Sequence, residues 1–454
     1  MDYYIYKNNK IPISDDKYDV IIVGGGTAGS IAAIASAREG AKTLIIEKYG
    51  FLGGSSTAAQ VTPMMHINIS GNPASSIDKE IRKRLINSGY GAKDSSGNDG
   101  WFNPEMMKFV LEEMLLEYNG SILYDTFFLD SIVEDYTIKG VLVHNKSGIS
   151  AIIGKVVIDC TGDADVAFSA GVPCFIGDER TGKNQAISLR FMVGNIDLIK
   201  LQSFLKDLGQ NWGLDYPLIE TAMVWNSNFP LESVFKKGLD DEVINYEDGV
   251  YFQAFSIPGM PGVMSFNCPE IPAIKDVLNA KEISYSYQKG REMIQRLYKF
   301  LKKYIPGFEE SYILSVAPMI GIRESRRIKG KYILNIDDYN NRSKFDDAIA
   351  KTAYPVDVHG MKTELKILPI ENNEYFEIPF RCLIPLNIEG LLVAGRCISS
   401  TFIAQSAIRI QPTCRATGEA AGIAAAYSIQ KGIKVSKIEG CEIRKILRDY
   451  GYDI

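Results

Sequence analysis

Residues 20–48, with the sequence VIIVGGGTAGSIAAIASAREGAKTLIIEK, are the most informative part of the chain about its fold. It contains, in order, a short apolar run, a glycine-rich turn, an alanine-rich segment and a second apolar run that ends at Glu47. This order is typical of a strand, a helix and a second strand that bind a dinucleotide. The glycines of the G-x-G-x-x-G turn are Gly24, Gly26 and Gly29.

Each glycine of this turn has a separate physical task. Gly24 permits the tight turn, Gly26 lets the backbone approach a pyrophosphate, and Gly29 lets the helix pack closely on the strand. The helix N-terminus then presents unpaired N–H groups and the positive end of its dipole to the phosphates. Glu47 suits ribose hydroxyls and would repel a 2′-phosphate, so the unit predicts NAD or FAD rather than NADP. The predicted contacts are Gly24, Gly26, Thr27, Ala28, Gly29, Glu47 and Lys48.

Length and composition are those of an ordinary globular protein. The 454 residues predict about three domains, and the net charge of -5 gives no electrostatic case for nucleic acid or an anionic membrane as a partner. The sequence has no uninterrupted apolar stretch of about 20 residues and no signal-peptide pattern, so we predict a cytoplasmic protein without membrane insertion. Seven cysteines without a C-x-x-C pair and three histidines predict neither a disulfide framework nor a metal site.

The pattern along the chain predicts an α/β protein with a divided nucleotide-binding domain. Residues 15–170 and 381–435 are predicted to form a Rossmann-like domain with a parallel sheet, helices and a β-meander. Residues 171–380, rich in aromatic side chains and Pro-containing loops, are predicted to form a mixed α+β substrate domain. Residues 436–454 are predicted to add a C-terminal helix.

Local patterns place several elements within this plan. Predicted helices cover residues 78–88, 103–118 and 411–430, and Pro104 suits the first turn of the second helix. Predicted strands cover residues 122–135, 139–145 and 155–159. The first two strands are expected to pair with each other, and the third runs into the sequence TGDADVA.

Seven segments together resemble the FAD-dependent oxidoreductases of the glutathione-reductase-like flavoprotein class. More narrowly, the chain looks like the bacterial FAD-dependent oxidoreductase family, which is distantly similar to the fumarate reductase and succinate dehydrogenase flavoproteins. The resemblance covers most of the chain and implies FAD as the cofactor. The segments are GGGTAG (24–29), LGGSST (52–57), DCTGDADVA (159–167), GIRESRRIKGKYIL (321–334), YPVDVHG (354–360), IPFRCLIP (378–385) and GLLVAGRCISSTFIAQSAIRIQPTCRATGEAAGIAAA (390–426).

The segment LGGSST follows Glu47 and is implied to contact the flavin. Its hydroxyls suit a ribityl chain or a phosphate, although a plain polar loop would have the same composition. In fumarate-reductase-like flavoproteins this region can carry a histidine bonded covalently to the flavin, and the hydroxyl residues here imply a non-covalent flavin. His66, a few residues further on, leaves a contact with the flavin open. The implied contacts are Gly53, Gly54, Ser55, Ser56 and Thr57.

Further cofactor contacts are implied on both sides of the predicted substrate domain. Gly162 and Asp163 follow the strand that ends at residue 159, although Asp163 would serve nearly as well as a helix cap. Phe128 lies where related proteins use backbone groups to hold the adenine. The C-terminal segment supplies a strand end and the first turn of the last long helix, which is implied to face the pyrimidine edge of the flavin. Its contacts are Gly395, Arg396, Gln411, Pro412 and Thr413.

Three side chains are candidates for the chemistry at the flavin. His359 in YPVDVHG is the first choice as proton donor or acceptor, because histidine titrates near neutral pH. Arg323 in RESRR suits a substrate carboxylate, although an Arg–Glu pair at a domain interface explains it equally well. For Arg409 the same two alternatives stay open, namely contact with the flavin or substrate and a structural role.

The predicted function is therefore hydride transfer between the flavin N5 and a small organic substrate. Dehydrogenation of a C–H bond and reduction of a C=C bond both fit, and the electron donor or acceptor is unknown. The alternatives are a flavin-free binding protein on the same fold and an FAD monooxygenase. Intact LGGSST and C-terminal segments argue against the first alternative. The sequence leaves open whether the chain forms a homo-oligomer.

Overall fold

The structure is a computed structural model that describes residues 2–65, 75–272, 276–361 and 364–454. A seven-stranded sheet is built around the strand Tyr18–Val23, whose residues are buried from Val20 onward. Parallel strands that are covered on both faces need such continuous apolar runs. His66 lies outside the described residues.

One long strand joins the parallel part of this sheet to an antiparallel meander. The second half of Gly148–Asp159 pairs in parallel with Tyr18–Val23, and its first half pairs antiparallel with Thr137–Asn145. The strand order is Ser121–Leu123, Thr43–Ile46, Tyr18–Val23, Gly148–Asp159, Thr137–Asn145 and Phe127–Glu134, and Leu391–Val393 pairs in parallel with Gly148–Asp159. The predicted α/β fold with a parallel sheet and a β-meander is confirmed.

The prediction of one strand over residues 122–135 is wrong. Ser121–Leu123 joins the parallel part beside Thr43–Ile46, whereas Phe127–Glu134 belongs to the meander. Between them Asp125 has a φ of 49°, a left-handed conformation that interrupts a strand. The apolar pattern continues across this interruption, so the pattern alone does not reveal it.

The predicted helices are confirmed with small shifts at their ends. The helices predicted over residues 78–88, 103–118 and 411–430 are Ser76–Asn87, Pro104–Glu117 and Gln411–Lys431. Asn103 caps the second of them, and Pro104 lies in its first turn, where a missing N–H costs no hydrogen bond. Further helices are Gly29–Arg38, Asp165–Ser169, Leu198–Asp207, Glu232–Asp240, Ala280–Tyr304, Ile336–Asn340, Phe402–Ile408 and Gly440–Asp449. Within the described ranges, no helix has the length and apolar character that crossing a membrane requires.

A second sheet is antiparallel and has its own hydrophobic core. Its strand order is Leu214–Asp215, Leu218–Met223, Phe252–Ser256, Met264–Phe266, Phe191–Gly194 and Tyr312–Val316. Short strand pairs are Tyr3–Tyr6 with Asn9–Pro12, Gly91–Ala92 with Trp101–Phe102, Cys174–Ile176 with Arg326–Ile328, Ile187–Ser188 with Glu270–Ile271, and Ala348–Thr352 with Phe376–Pro379. Leu334, Ile349 and Phe376 are buried in the core of the first sheet. The domain boundaries at residues 170 and 380 stay a prediction.

Two helices from distant parts of the chain pack backbone against backbone. A Cβ on Gly418 would lie 2.2 Å from the carbonyl oxygen of Ala28, and a Cβ on Gly422 would lie 2.3 Å from that of Ala32. Both distances are far below van der Waals contact, so only glycine permits this approach. The helix Gly29–Arg38 therefore lies directly against Gln411–Lys431.

A buried carboxylate ties this helix pair to the C-terminal residues. Glu419 is fully buried within Gln411–Lys431. Its partners are the guanidinium of Arg38 at 2.9 Å, the N–H of Ile77 at 3.2 Å, and the hydroxyls of Ser75, Ser76 and Tyr452. A buried charge is tolerated only when it is paired and hydrogen-bonded in this way.

We expect Glu419→Gln to lower the free energy of unfolding by about 3–5 kcal/mol, because the guanidinium of Arg38 loses its buried counter-charge. Chemical unfolding followed by far-ultraviolet circular dichroism measures the change. Glu442→Gln, at an exposed position of Gly440–Asp449, is the matched control and should change the value by less than about 0.5 kcal/mol. Equal stability of the two variants would contradict this assignment.

Candidate active site

A cavity of about 770 Å³ lies at the carboxyl ends of the parallel strands and is also lined by Tyr251 and Asn267, which adjoin strands of the second sheet. Its volume is within the ~300–1,000 Å³ typical of small-molecule and cofactor pockets. Open α/β sheets bind their ligands at this edge. The predicted site residues that line it are Gly24, Gly26, Thr27, Ala28, Glu47, Lys48, Gly54, Ser55, Phe128, Gly162, Asp163, Arg323, His359, Gly395, Arg396, Arg409 and Gln411.

The other predicted site residues lie behind the cavity wall. They are Gly29, Gly53, Ser56, Thr57, Pro412 and Thr413. The hydroxyl of Ser56 donates to the carbonyl of Gly53 at 2.8 Å, and that of Thr57 donates to the carbonyl of Leu52 at 2.7 Å. These two hydroxyls stabilise the turn of LGGSST, so Ser55 is the hydroxyl residue of this segment that faces the cavity.

Glu47 holds the glycine turn as well as facing the cavity. Its Oε2 accepts from the N–H of Gly25 at 2.6 Å, and its Oε1 accepts from the N–H of Tyr49 at 2.9 Å. Burial raises the pKa of Glu47, and the N–H groups of Tyr49 and Gly25 offset only part of this effect. Each carboxylate oxygen keeps a lone pair that a ribose hydroxyl could donate to.

Polar groups at the cavity wall fit a dinucleotide. The helices Gly29–Arg38 and Gln411–Lys431 begin there after Ala28 and Ile410, whose side chains cannot cap a helix. Helix N-termini with free N–H groups favour phosphates and other negative charge. Buried atoms without a partner in the described part of the chain include Arg396 Nη1, Arg409 Nε and Gln411 Oε1. Since buried polar atoms are nearly always paired, these atoms fit a ligand with phosphates and a polar ring.

Asp163 binds Arg396 rather than capping a helix. One carboxylate oxygen accepts from Arg396 Nη2 at 2.6 Å and from the hydroxyl of Ser325 at 2.6 Å. Burial acts to raise the pKa of Asp163, but the charge of Arg396 and the hydroxyl of Ser325 outweigh burial and lower it. The next helix, Asp165–Ser169, begins after Ala164 without a side-chain cap. The ion pair therefore fixes two predicted cofactor contacts beside each other.

His359 lies between two carboxylates. Its Nδ1 is 2.7 Å from Glu270 Oε2, and its Nε2 is 3.1 Å from Asp357 Oδ1. Burial acts to raise the pKa of both carboxyls, but hydrogen bonds with His359 and nearby guanidinium charges outweigh burial and lower both pKa values. Within the described residues, no group of His, Cys, Asp and Glu side chains is arranged to hold a metal ion.

Arg409 holds the cavity-facing carboxylate of this cluster. Its Nη2 donates to Asp357 Oδ2 at 2.9 Å and to the carbonyl oxygen of Asp357 at 2.9 Å. Its Nε is buried without a partner in the described part of the chain. Arg409 therefore holds Asp357 in place and also lines the cavity.

Arg323 reaches the cluster from another segment. It donates to the carbonyl of Ala186 at 2.6 Å, and its Nη2 lies 3.6 Å from Glu270 Oε2. Burial lowers the pKa of Arg323. Glu324 forms an ion pair with Arg327. Glu324 is therefore the partner of Arg327, while Arg323 both lines the cavity and forms an Arg–Glu ion pair with Glu270.

Sequence reasoning missed three residues of the cluster, namely Asp357, Glu270 and Tyr251. Asp357 stands two residues before His359 in YPVDVHG, so this motif contained the information needed to find it. The Tyr251 ring meets the His359 ring edge-on, with centroids 5.2 Å apart, and burial raises the pKa of Tyr251 to about 12. Glu270 is 89 residues from its histidine partner, and only the fold brings them together.

The parallel sheet, the glycine turn and the C-terminal helix that returns to one cavity define a dinucleotide-binding protein. The chain belongs to the FAD dependent oxidoreductase family, whose model matches residues 19–447. The members of this family are described as oxidoreductases that depend on FAD, which is therefore the cofactor that the family match indicates. The predicted resemblance is thereby confirmed, and the flavin-free alternative is set aside.

Individual relatives match smaller parts of the chain. A tRNA uridine 5-carboxymethylaminomethyl modification enzyme from Geobacillus kaustophilus is 33% identical over 178 residues, 34% of this chain and 27% of that relative. A digeranylgeranylglycerophospholipid reductase from Methanocaldococcus jannaschii is 49% identical over 49 residues, 11% of this chain and 12% of that relative. The chain thus spans about a quarter or less of these curated relatives. The structure of a geranylgeranyl bacteriochlorophyll reductase-like protein from Thermoplasma acidophilum is 16% identical, with a TM-score of 0.48, over 96% of this chain and 84% of that chain.

Alanine substitutions at Gly26 and Gly29 should have different effects: the first should weaken cofactor binding, and the second should destabilise the fold. The nearest heavy atom to a Cβ on Gly26 would be Gly54 Cα at 3.8 Å, whereas a Cβ on Gly29 would lie 1.8 Å from the carbonyl oxygen of Gly24. We expect Gly26→Ala to unfold at the wild-type temperature as apoprotein but to bind FAD at least about tenfold more weakly, a loss of ~1.4 kcal/mol. Gly29→Ala should instead lower the apoprotein unfolding temperature.

Calorimetric titration with FAD and thermal unfolding of the apoprotein measure the two effects. Wild-type FAD affinity in Gly26→Ala would contradict the contact predicted for this residue.

Proposed function

We propose that the protein holds FAD in this cavity without a covalent bond and transfers a hydride between the flavin N5 and a small organic substrate. The observation that carries the proposal is that His359 and Asp357 line the same cavity as the glycine turn. A group able to move a proton and a cradle for a dinucleotide therefore share one enclosed space. Dehydrogenation of a C–H bond and reduction of a C=C bond both fit this arrangement.

The residues at the strand ends would hold the cofactor. The glycine turn and the first N–H groups of Gly29–Arg38 suit the pyrophosphate, Glu47 suits the ribose, and Phe128 lies beside the cavity where adenine is proposed. The N-terminus of Gln411–Lys431 would stabilise negative charge on the flavin ring through its dipole. When bound, FAD supplies the hydride chemistry at N5.

The His359 cluster would manage the proton that accompanies the hydride. The Asp357 side chain is 34% exposed, whereas those of His359 and Glu270 are 12% and 7% exposed, so Asp357 is the member most open to the cavity. Arg409 orients Asp357 and lines the same cavity, where its charge would orient an acceptor group of the substrate. This arrangement gives the chain a proton carrier and a substrate-orienting cation side by side.

We expect His359→Asn to keep its FAD and to slow flavin reduction or reoxidation by about 10²–10⁴-fold, because the proton carrier is lost. Anaerobic stopped-flow spectroscopy with a compound found by screening donors and acceptors for bleaching or recovery of the flavin measures the rate. His144→Asn, at an exposed position of Thr137–Asn145, is the matched control and should react at the wild-type rate. A wild-type rate in His359→Asn would overturn the proposed role of this histidine.

A further inference from the structure

Glu270 lies on the side of the His359 cluster that faces away from the cavity. It is buried at 8% exposure and does not belong to the cavity lining, whereas Asp357 on the opposite nitrogen of the ring does. Glu270 begins the short strand Glu270–Ile271, which pairs with Ile187–Ser188. The carboxylate is therefore held by the sheet structure beneath the ring and has no direct access to a bound substrate.

The backbone of His359 is fixed independently of its ring. Its carbonyl accepts from the N–H of Ala186 at 3.2 Å, and its N–H donates to Gln185 Oε1 at 3.3 Å. These bonds set the position of the residue, and the orientation and tautomer of the ring remain to be set by what the ring nitrogens contact. Glu270 makes the shorter of the two ring contacts, at 2.7 Å to Nδ1.

We propose that Glu270 is a positioning residue that keeps a proton on Nδ1 of His359 and thereby assigns Nε2, through Asp357, as the route for proton exchange with the cavity. The tautomer of a histidine is set by the hydrogen bond that the other nitrogen makes. Glu270 and Asp357 are both acceptors, so each ring nitrogen donates when the ring carries two protons. When the ring carries one proton, the shorter contact with Glu270, 2.7 Å against 3.1 Å for Asp357, favours that proton on Nδ1. The inference rests on the proposed function, in which His359 carries the proton.

The charges around Glu270 support its role as an acceptor. Arg323 Nη2 lies 3.6 Å from the same Oε2 that faces His359, and the Tyr251 ring packs edge-on against the imidazole. The bond from His359 and the charge of Arg323 outweigh burial and lower the pKa of Glu270, so the carboxylate stays ionised at neutral pH. An ionised acceptor forms a stronger hydrogen bond than a neutral one, and it holds the ring more firmly.

Nitrogen NMR of histidine-labelled holoenzyme tests the inference without any substrate. The chain has three histidines, His66, His144 and His359, so the ring signals can be assigned with His144→Asn and His359→Asn. At a pH where the His359 ring keeps one proton, we expect that proton on Nδ1 in the wild type. In Glu270→Leu, whose side chain cannot accept, we expect loss of the Nδ1–H signal and appearance of an Nε2–H signal.

Two further variants make the result decisive. Glu270→Met gives the same test if Glu270→Leu does not fold, because its thioether is only a weak acceptor, and we expect the proton to move to Nε2. Glu309→Gln, an exposed partner of Lys200, is the control and should keep the wild-type pattern. A proton on Nε2 in the wild type, or a proton that stays on Nδ1 in every folded Glu270 variant, overturns the inference.

The NMR experiment and the flavin half-reaction test different claims, so either claim can be contradicted without the other. The tautomer reports on Glu270 alone, since it is read in the holoenzyme at rest, whereas the flavin half-reaction of His359→Asn reports on the proposed function. A wild-type half-reaction in His359→Asn together with an Nδ1–H tautomer would overturn the catalytic role and leave the ring orientation by Glu270 in place.

Discussion

The cavity depends on the direct contact between the backbones of Gly29–Arg38 and Gln411–Lys431. Gly418 and Gly422 permit this contact, because a Cβ at either position would overlap a carbonyl oxygen of the first helix segment. Close-packed interiors do not absorb such overlap without displacing a neighbour. Residues separated by almost 400 positions are thereby brought to one cavity, with two uncapped helix N-termini at its wall. The position of the cofactor site therefore depends on the contact between these two helices as well as on the glycine turn.

Carboxylates in and behind the cavity wall differ in their partners. Asp163, Asp357 and Glu270 each face a guanidinium, and their pKa values are lowered in spite of burial. Glu47 has N–H groups as its hydrogen-bond partners, and burial raises its pKa. Opposite charges close to a carboxylate stabilise its ionised form more than burial destabilises it, whereas neutral donors compensate less. The pKa values of the carboxyls are therefore lowered where we propose the chemistry and raised where we propose the ribose.

Local patterns predicted the parts of this structure that depend on neighbours in sequence. The strand, turn and helix at residues 20–48, the cap before Pro104 and the long helix after residue 410 follow from periodicity and from residues at helix ends. The strand predicted over residues 122–135 was wrong, because the left-handed conformation of Asp125 leaves no trace in the apolar pattern. The hydroxyls of Ser56 and Thr57 looked identical to that of Ser55 in the sequence, and only the fold of the turn separates them.

Residues 20–48 are enough to predict a dinucleotide cofactor, because a dinucleotide imposes glycines, an acid and a helix start at fixed spacing within one βαβ unit. Its further motifs resemble an FAD-dependent family, and the match over residues 19–447 establishes that membership. Which polar residues act together, in contrast, cannot be read from the sequence and follows from the folded structure. Glu270, His359 and Arg323 come from segments far apart in the chain, and their charges interact because folding removes them from water and places them within hydrogen-bonding and ion-pairing distance.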